Sequence, residues 1–460
     1  MGAGKSTVGQ VVAERLGRDF VDVDREVERD VGKPIAELFQ ERGESEFRSH
    51  EERKTIAALQ QPGPAVIALG GGAVETPAIR AALRERAFSV LLDVDPETAW
   101  SRSSGSGRPL ARDEADFHAL HERRRALYDE VADARADDAD DVVLAAGGVH
   151  VRGGSLELVG SLTPGDGRVA LVSDPHVAGI HGADAQVALG ERLVSVHEVP
   201  QGEEAKTVAV VARLWSELRL ARDGTLLALG GGCTTDVSGF AAATYLRGID
   251  WVAVPTTLIG QVDAAIGGKT AIDLPAGKNL VGAFHWPARV VVDPRLLDTL
   301  PDRELKEGMA EVTKTGLLAG EPLWELPLPE LVRRSAAFKT ALCLRDPYDR
   351  AERAFLNLGH TFAHALEAAA GYEGVTHGAA VGLGLLAALR LSGRPTDVVE
   401  EVLAPKPVRV DRERAWVSLL RDKKSRAGEV RIVLLGDAGP SVEARPETEI
   451  RAALDELIAD

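Results

Sequence analysis

The sequence predicts an α/β protein made of tandem units. Three observations lead there. Short apolar runs, each followed by Gly, Asp or Pro, alternate with amphipathic stretches, the order of a βαβ parallel sheet. The triplet G-G-G closes an apolar run twice, at 70–72 and at 230–232, and the flanks differ. These are two separate strand-to-loop junctions, not a repeat. From about Pro301 onward the pattern turns mainly helical.

Bulk properties narrow the function. A chain of 460 residues is too long for one ordinary core. Its net charge of -17 argues against nucleic acid as a partner. Any anionic ligand must then be held by local Lys and Arg clusters. No apolar run reaches the ~18 residues of a membrane span, and no basic-then-apolar signal opens the chain. Two cysteines, Cys233 and Cys343, make no disulfide framework and fit a reducing, cytoplasmic setting.

The N-terminal elements come first. Residues 2–7 read G-A-G-K-S-T, the second half of a phosphate-binding G-x-x-x-x-G-K-[ST] loop. Backbone N–H groups around Gly2 and Gly4 would cradle phosphate at a helix N-terminus. Lys5 would reach the outer phosphates, and Ser6, with Thr7 beside it, would hold Mg²⁺. The loop's first Gly and the strand before it do not precede Met1. The expectation is therefore an internal Met taken as the start, with a strand some 10–15 residues upstream. Residues 20–24, F-V-D-V-D, read as a strand ending in two acids on one face. Glu46-Phe47-Arg48 follows a helical stretch, and 65–74 run as a strand into the first G-G-G. G-R-P-L at 107–110 fits a lid, and Arg124 stands four residues before Tyr128 on a helix. The acidic run 133–141, D-A-R-A-D-D-A-D-D, interrupts the apolar pattern and reads as a domain boundary.

In this order the N-terminal motifs resemble shikimate kinase over residues 1–141. The resemblance implies a P-loop kinase-like parallel sheet that uses ATP with Mg²⁺. Asp24, Arg48, Gly71, Gly72 and Arg124 would hold shikimate. Asp22 would sit near Mg²⁺ with Ser6, and Arg108 would stabilise the transferring phosphoryl group.

Further along, strand-like runs occur at 169–173, 226–229, 251–254 and 289–292. The second G-G-G opens G-G-G-C-T-T-D-V-S-G, a Gly-rich turn into a helix that suits a dinucleotide pyrophosphate. Then come P-T-T-L-I-G-Q-V-D-A-A-I-G-G-K at 255–269, G-K-N at 277–279 and A-E-V-T-K at 310–314. N-L-G-H-T-F-A-H-A-L-E spans 357–367, with H-G at 377–378. His360 and His364 are four apart and share a helix face. Imidazoles on one helix plus another from the next segment suit a metal site with one open position.

These segments, with V-P-Q-G-E-E-A-K at 199–206 and D-K-K at 422–424, are similar to 3-dehydroquinate synthase over about 150–460. The resemblance implies an α/β NAD-binding domain at 148–300 and a mainly helical metal and substrate domain at 301–460. Asp174, Glu203, Lys206, Gly231, Gly232, Asp236, Thr256, Thr257 and Thr299 would hold NAD⁺. Glu311, His360 and His377 would bind Zn²⁺ or Co²⁺, and His364 would be an acid/base group beside them. Asp263, Lys269 and Lys314 would serve catalysis. Lys278, Asn279, Lys339, Arg353, Asn357, Lys423 and Lys424 would hold the substrate, and Arg247 its phosphate across a homodimer. A triply anionic sugar acid phosphate calls for such a cationic set. A metal-dependent polyol dehydrogenase, joined to a degenerate kinase domain, is the rival reading, but a neutral polyol needs no such charge.

Overall fold

A computed structural model of the chain describes residues 2–103, 113–371, 374–422 and 429–459. The chain divides into two compact units, Met1–Gly147 and Gly148–Asp460. Arg108, Lys423 and Lys424 lie outside the described residues.

The first unit opens with helix Lys5–Leu16, which buries Val12, Ala13 and Leu16. Strand β1 (Asp19–Asp22) pairs in parallel with β2 (Ala65–Ala68). Strand β3 (Val90–Leu92) pairs in parallel with β4 (Ala134–Ala136). The two pairs stay separate. Between β2 and β3 lies a cavity of about 730 Å³, walled by Val66, Ile67, Val90 and Leu92 and, from the first helix, Val8 and Val12.

Two expectations are corrected here. The acidic run 133–141 is not a boundary. Its middle is β4, and its acids act as local acceptors. Asp133 accepts from the Ser89 N–H at 2.7 Å, and Asp138 accepts from the Asp141 N–H at 3.0 Å at the start of helix Ala139–Ala146. Short acids stop the apolar pattern because they cap, not because the chain leaves the fold. The strand expected over 20–24 also ends early. Asp22 turns it by accepting from the Asp24 and Arg25 N–H groups, so Asp24 stands in the first turn of helix Val23–Val31.

The second unit is centred on a six-stranded sheet in the order β5-β12-β9-β8-β6-β7. Its members are β5 (Val149–Val151), β6 (Val169–Ser173), β7 (Leu193–Glu198), β8 (Thr225–Gly230), β9 (Asp250–Pro255) and β12 (Arg289–Val292). All the pairings are parallel. Every residue of β6 and β8 is buried, the signature of strands covered on both faces. Between β9 and β12 an antiparallel hairpin, β10 (Lys269–Leu274) and β11 (Gly277–Phe284), stands off the sheet.

Helices Asp302–Ala319, Leu328–Arg345, His360–Ala369 and His377–Leu391 form the C-terminal half. The sequence pattern missed one element there. Strands β13 (Glu429–Gly436) and β14 (Gly439–Pro446) pair antiparallel. Val430, Ile432 and Leu434 alternate inward onto Phe362, Leu366 and Leu419.

Candidate active sites

In the first unit, Gly2 and Gly4 have φ of 69° and 76°, a conformation that lets the chain turn tightly into the helix. No side chain caps that helix, so its first N–H groups face the loop. Ser6 Oγ donates to Asp22 Oδ2 at 2.6 Å, which brings together the two residues expected at Mg²⁺. Thr7 is an exposed residue on the first helical turn.

The first G-G-G, at 70–72, passes close to a charged cluster. A Cβ on Gly70 would stand 2.4 Å from Glu51 Oε1 and 2.9 Å from Asp24 Oδ1. One on Gly72 would stand 2.2 Å from Arg48 Nη2. Arg48 donates to Glu51 at 2.6 Å and to Glu75 at 3.2 Å. Arg124, only 2% exposed, donates to Glu75 at 2.9 Å. The Tyr128 hydroxyl donates to the Gly71 carbonyl at 2.6 Å. Burial raises the Glu51 carboxyl despite Arg48. At Glu75 burial is outweighed by Arg124, Arg48 and Arg123, and the carboxyl is held below its ordinary value.

In the second unit, the loop after β8 places Gly231 and Gly232 at the start of helix Gly232–Thr244. A Cβ on Gly231 would come within 3.1 Å of the Thr257 methyl, so this turn admits close backbone approach. Lys206, 4% exposed, donates to Asp236 at 2.6 Å and also to Asn279. Burial opposes the Lys206 charge, but Asp236 and Glu203 outweigh it and raise its pKa. At Asp236 burial wins, and the carboxyl is pushed up to about 6. Glu203 pairs with Lys278 at 2.6 Å. Asp174 caps the turn after β6 by accepting from the His176 and Val177 N–H groups. Thr299 Oγ1 meets His181 Nε2 at 3.0 Å on the following turn, and Thr256 is buried at the end of β9. Lys278 and Asn279, assigned to substrate by motif, therefore touch the dinucleotide set in this structure.

Three helices bring the metal donors together. Glu311 Oε1 lies 3.3 Å from His360 Nε2 and 3.3 Å from His377 Nε2. The three donor atoms all lie within 4.8 Å of one another. His364, exposed, stands edge-on to His360 with ring centroids 5.5 Å apart, outside that trio. Burial opposes the charge on Glu311, yet Lys314 and His360 hold the carboxylate well below its ordinary value. At His377 burial is outweighed by Glu311 and Glu367, which raise it to about 10. One carboxylate and two imidazole nitrogens converging on a point that favours positive charge fit a divalent ion of the Zn²⁺ or Co²⁺ type.

Part of the cationic set adjoins this point. Lys314 pairs with Glu311, and Lys339 donates to Asp263 at 2.7 Å. Lys269, on β10, pairs with Asp349 of the segment that precedes Arg353. Arg353, 2% exposed, donates to the Pro347 carbonyl at 3.2 Å, and Asn357 follows it on the same turn. Arg247 is exposed with φ of 70°, away from the trio in sequence and structure element. A cavity of about 310 Å³ joins Glu203 and Lys278 on one wall to Glu367 and His377 on the other.

Comparison with known proteins decides the family. The shikimate kinase family matches residues 1–146. The 3-dehydroquinate synthase N-terminal and C-terminal families match residues 196–307 and 308–404. A bifunctional shikimate kinase/3-dehydroquinate synthase of Thermotoga maritima is 32% identical over 470 residues, covering 92% of each chain. This chain belongs to the bifunctional shikimate kinase/3-dehydroquinate synthase family. The 3-dehydroquinate synthase of Bordetella pertussis is 39% identical, over 67% of this chain and 95% of its own. A solved 2-deoxy-scyllo-inosose synthase, complexed with carbaglucose-6-phosphate, NAD⁺ and Co²⁺, is 27% identical with a TM-score of 0.61. It covers 67% of this chain and 96% of its own.

The family motifs left out several residues that the geometry brings in. Glu367 Oε1 sits 3.2 Å from His377 Nδ1 and fixes which ring nitrogen faces the metal point. Glu307 accepts from the Gly378 N–H at 2.5 Å and pins the turn that carries His377. Glu51 and Glu75 frame the kinase arginines. Glu367 closes the H-T-F-A-H-A-L-E run seven residues after His360, on its face of the helix, so periodicity alone could have singled it out.

Proposed function

We propose that residues 148–460 convert 3-deoxy-arabino-heptulosonate 7-phosphate to 3-dehydroquinate and phosphate, and that the preceding unit transfers phosphate from ATP to shikimate. The observation that supports the first reading most is the donor trio Glu311, His360 and His377, with Lys314 paired to Glu311 and Lys339 held by Asp263. Bound there, Zn²⁺ or Co²⁺ supplies Lewis-acid polarisation of a substrate hydroxyl, and NAD⁺ the transient hydride acceptor. The protein's own residues do the rest. Lys314, Lys339 and Arg353 hold the substrate's anionic groups. Asp263 keeps Lys339 in place, and exposed His364 exchanges a proton with a substrate hydroxyl. Gly231 and Gly232 admit the dinucleotide, with Lys206 and Asp236 beneath it. In the kinase unit Ser6 and Asp22 hold Mg²⁺, Lys5 reaches the phosphates, and Arg48 and Arg124 take the shikimate carboxylate.

The polyol dehydrogenase reading is disfavoured by the same lysines. The test is phosphate release from the heptulosonate phosphate by full-length protein. It should require NAD⁺ and metal and leave no NADH behind. Release that persists after NAD⁺ is stripped sinks the synthase reading; stoichiometric NADH would favour the dehydrogenase.

The chain works as a cytoplasmic homodimer through the synthase unit in this reading. The hairpin β10–β11 exposes Leu280 (57%) and Phe284 (44%), and Leu246 beside Arg247 is 41% exposed. That apolar face suits a second copy, with Arg247 reaching the phosphate in the partner's site. Among the described residues no helix is long and apolar enough to cross a membrane.

A further inference from the structure

The arginine cluster of the kinase unit already holds a carboxylate. Glu75 closes the short turn Ala73–Glu75 that follows the glycine loop. Its Oε2 accepts from Arg124 at 2.9 Å and from Arg48 at 3.2 Å, and its Oε1 from Arg123 at 3.4 Å. Arg48 is further engaged by Glu51 at 2.6 Å and Glu44 at 3.0 Å. Three guanidiniums, Arg48, Arg123 and Arg124, thus face three carboxylates, Glu44, Glu51 and Glu75. These six charges cancel, and Asp24 beside Glu51 adds a further acid. Removing the Glu75 charge shifts the cluster by one unit toward positive, which favours an incoming carboxylate.

The three acids are not equivalent. Glu51 is fully buried on the long helix beneath Gly70. Glu44 reaches Arg48 along its own helix. Glu75 alone bridges Arg48 to Arg124, and its side chain keeps 27% of its surface open. Arg124, by contrast, is 2% exposed, and its Nε has no hydrogen-bond partner among the described residues. Arg123, 69% exposed, lies on the outer side of Glu75 and can carry it toward water.

We infer that Glu75 is an internal stand-in for the substrate carboxylate. Shikimate binding is then an exchange: the ligand's carboxylate takes Arg48 and Arg124, including the vacant Nε, and Glu75 turns outward onto Arg123. The exchange sets affinity and selectivity. A ligand must carry its own anion to displace Glu75, so a neutral cyclic polyol gains nothing from the arginines. This inference rests on the reading of Arg48 and Arg124 as the shikimate carboxylate site.

Calorimetric titration of the full chain with shikimate and with its uncharged methyl ester tests it. Glu75→Gln keeps size and hydrogen bonding but removes the charge. It should tighten shikimate binding about five- to tenfold, while the ester's affinity stays unchanged. Glu75→Asp, which keeps the charge, should bind shikimate like the wild type. Melting curves establish that each variant is folded. Measurable shikimate binding that Glu75→Gln leaves equal or weaker overturns the exchange. A gain shared equally by the ester also overturns it, since that is a change in packing and not in charge. If neither wild type nor any Glu75 variant binds shikimate, with or without an apolar strand-forming segment fused ahead of Gly2, the carboxylate site itself is misassigned, and the exchange falls with it.

Discussion

Glu367 shows what a single side chain decides at the metal point. Its carboxylate holds His377 Nδ1, which leaves Nε2 directed at Glu311. A ligand imidazole fixed in this way is more basic and better aimed. Glu367→Ala should therefore lower Zn²⁺ or Co²⁺ affinity by about 10- to 100-fold, read by competition with a chromophoric chelator. Glu367→Gln can still accept from Nδ1 and should lose less. Equal affinity in Glu367→Ala and wild type would show that the contact does not orient the ligand. The two helix histidines should separate by the same measurement. His360→Ala removes a donor and should abolish both metal content and turnover. His364→Ala should keep metal and turn over slowly, and equal metal loss in both variants would contradict that division. The trio and the lysines were legible in the sequence because each sits in a short motif with its own chemistry. Glu367 was within reach of the same reading, since it shares the His360 face of its helix; Glu75 was not, because its partners Arg48 and Arg124 come from other elements and meet it only in the folded chain.

Elements are held by acids at their ends as much as by apolar periodicity. The four long runs of the synthase sheet could be read directly, since strands buried on both faces are continuous apolar stretches. The acidic run at 133–141 misled for the opposite reason: one strand of three residues hides between capping acids. The hairpin β13–β14 was missed because its alternation holds only at the start of β13, where Glu429 and Arg431 face out, and the run Ile432–Leu435 that follows is continuously apolar. Asp346 makes the capping effect measurable. It accepts from the N–H groups of Arg350, Ala351 and Arg353 at 2.9, 2.6 and 3.2 Å. Burial raises its pKa, but those three bonds outweigh burial and leave it below the ordinary value. A depressed carboxyl stabilises the fold above its unfolded pKa, near 4, and that contribution is lost as pH falls through the lower folded value. Asp346→Asn should lower the melting temperature by roughly 2–4 °C at pH 7, and the gap from wild type should narrow below pH 4. Because the turn carries Arg353, the variant should also raise the synthase KM more than it lowers kcat. A melting gap that does not change between pH 7 and pH 3 would show that the Asp346 charge is not what holds the turn.

At the scale of the molecule the two units differ in how their sheets are paired. The synthase sheet is continuous, whereas the kinase sheet is two parallel pairs with a cavity of about 730 Å³ between β2 and β3. Each of those strands has one edge without a strand partner among the described residues. Strand edges that face an open apolar slot leave their backbone groups without sheet partners, a cost that the continuous synthase sheet does not bear. The slot's walls are apolar on both strands and on the first helix, and its far end opens at Lys5 and Gly71, beside the phosphate loop. One extended segment of about five residues, apolar and free of Pro, matches that slot in length and character. Fusing such a segment, ended by Gly, ahead of Gly2 should therefore raise the melting temperature of the kinase unit and its ATP-dependent formation of shikimate 3-phosphate. A fused segment of equal length with Pro at its centre is the control: it cannot pair with both edges and should rescue neither property. Equal rescue by the Pro control, or no gain from the apolar segment, would mean that the slot does not need a strand.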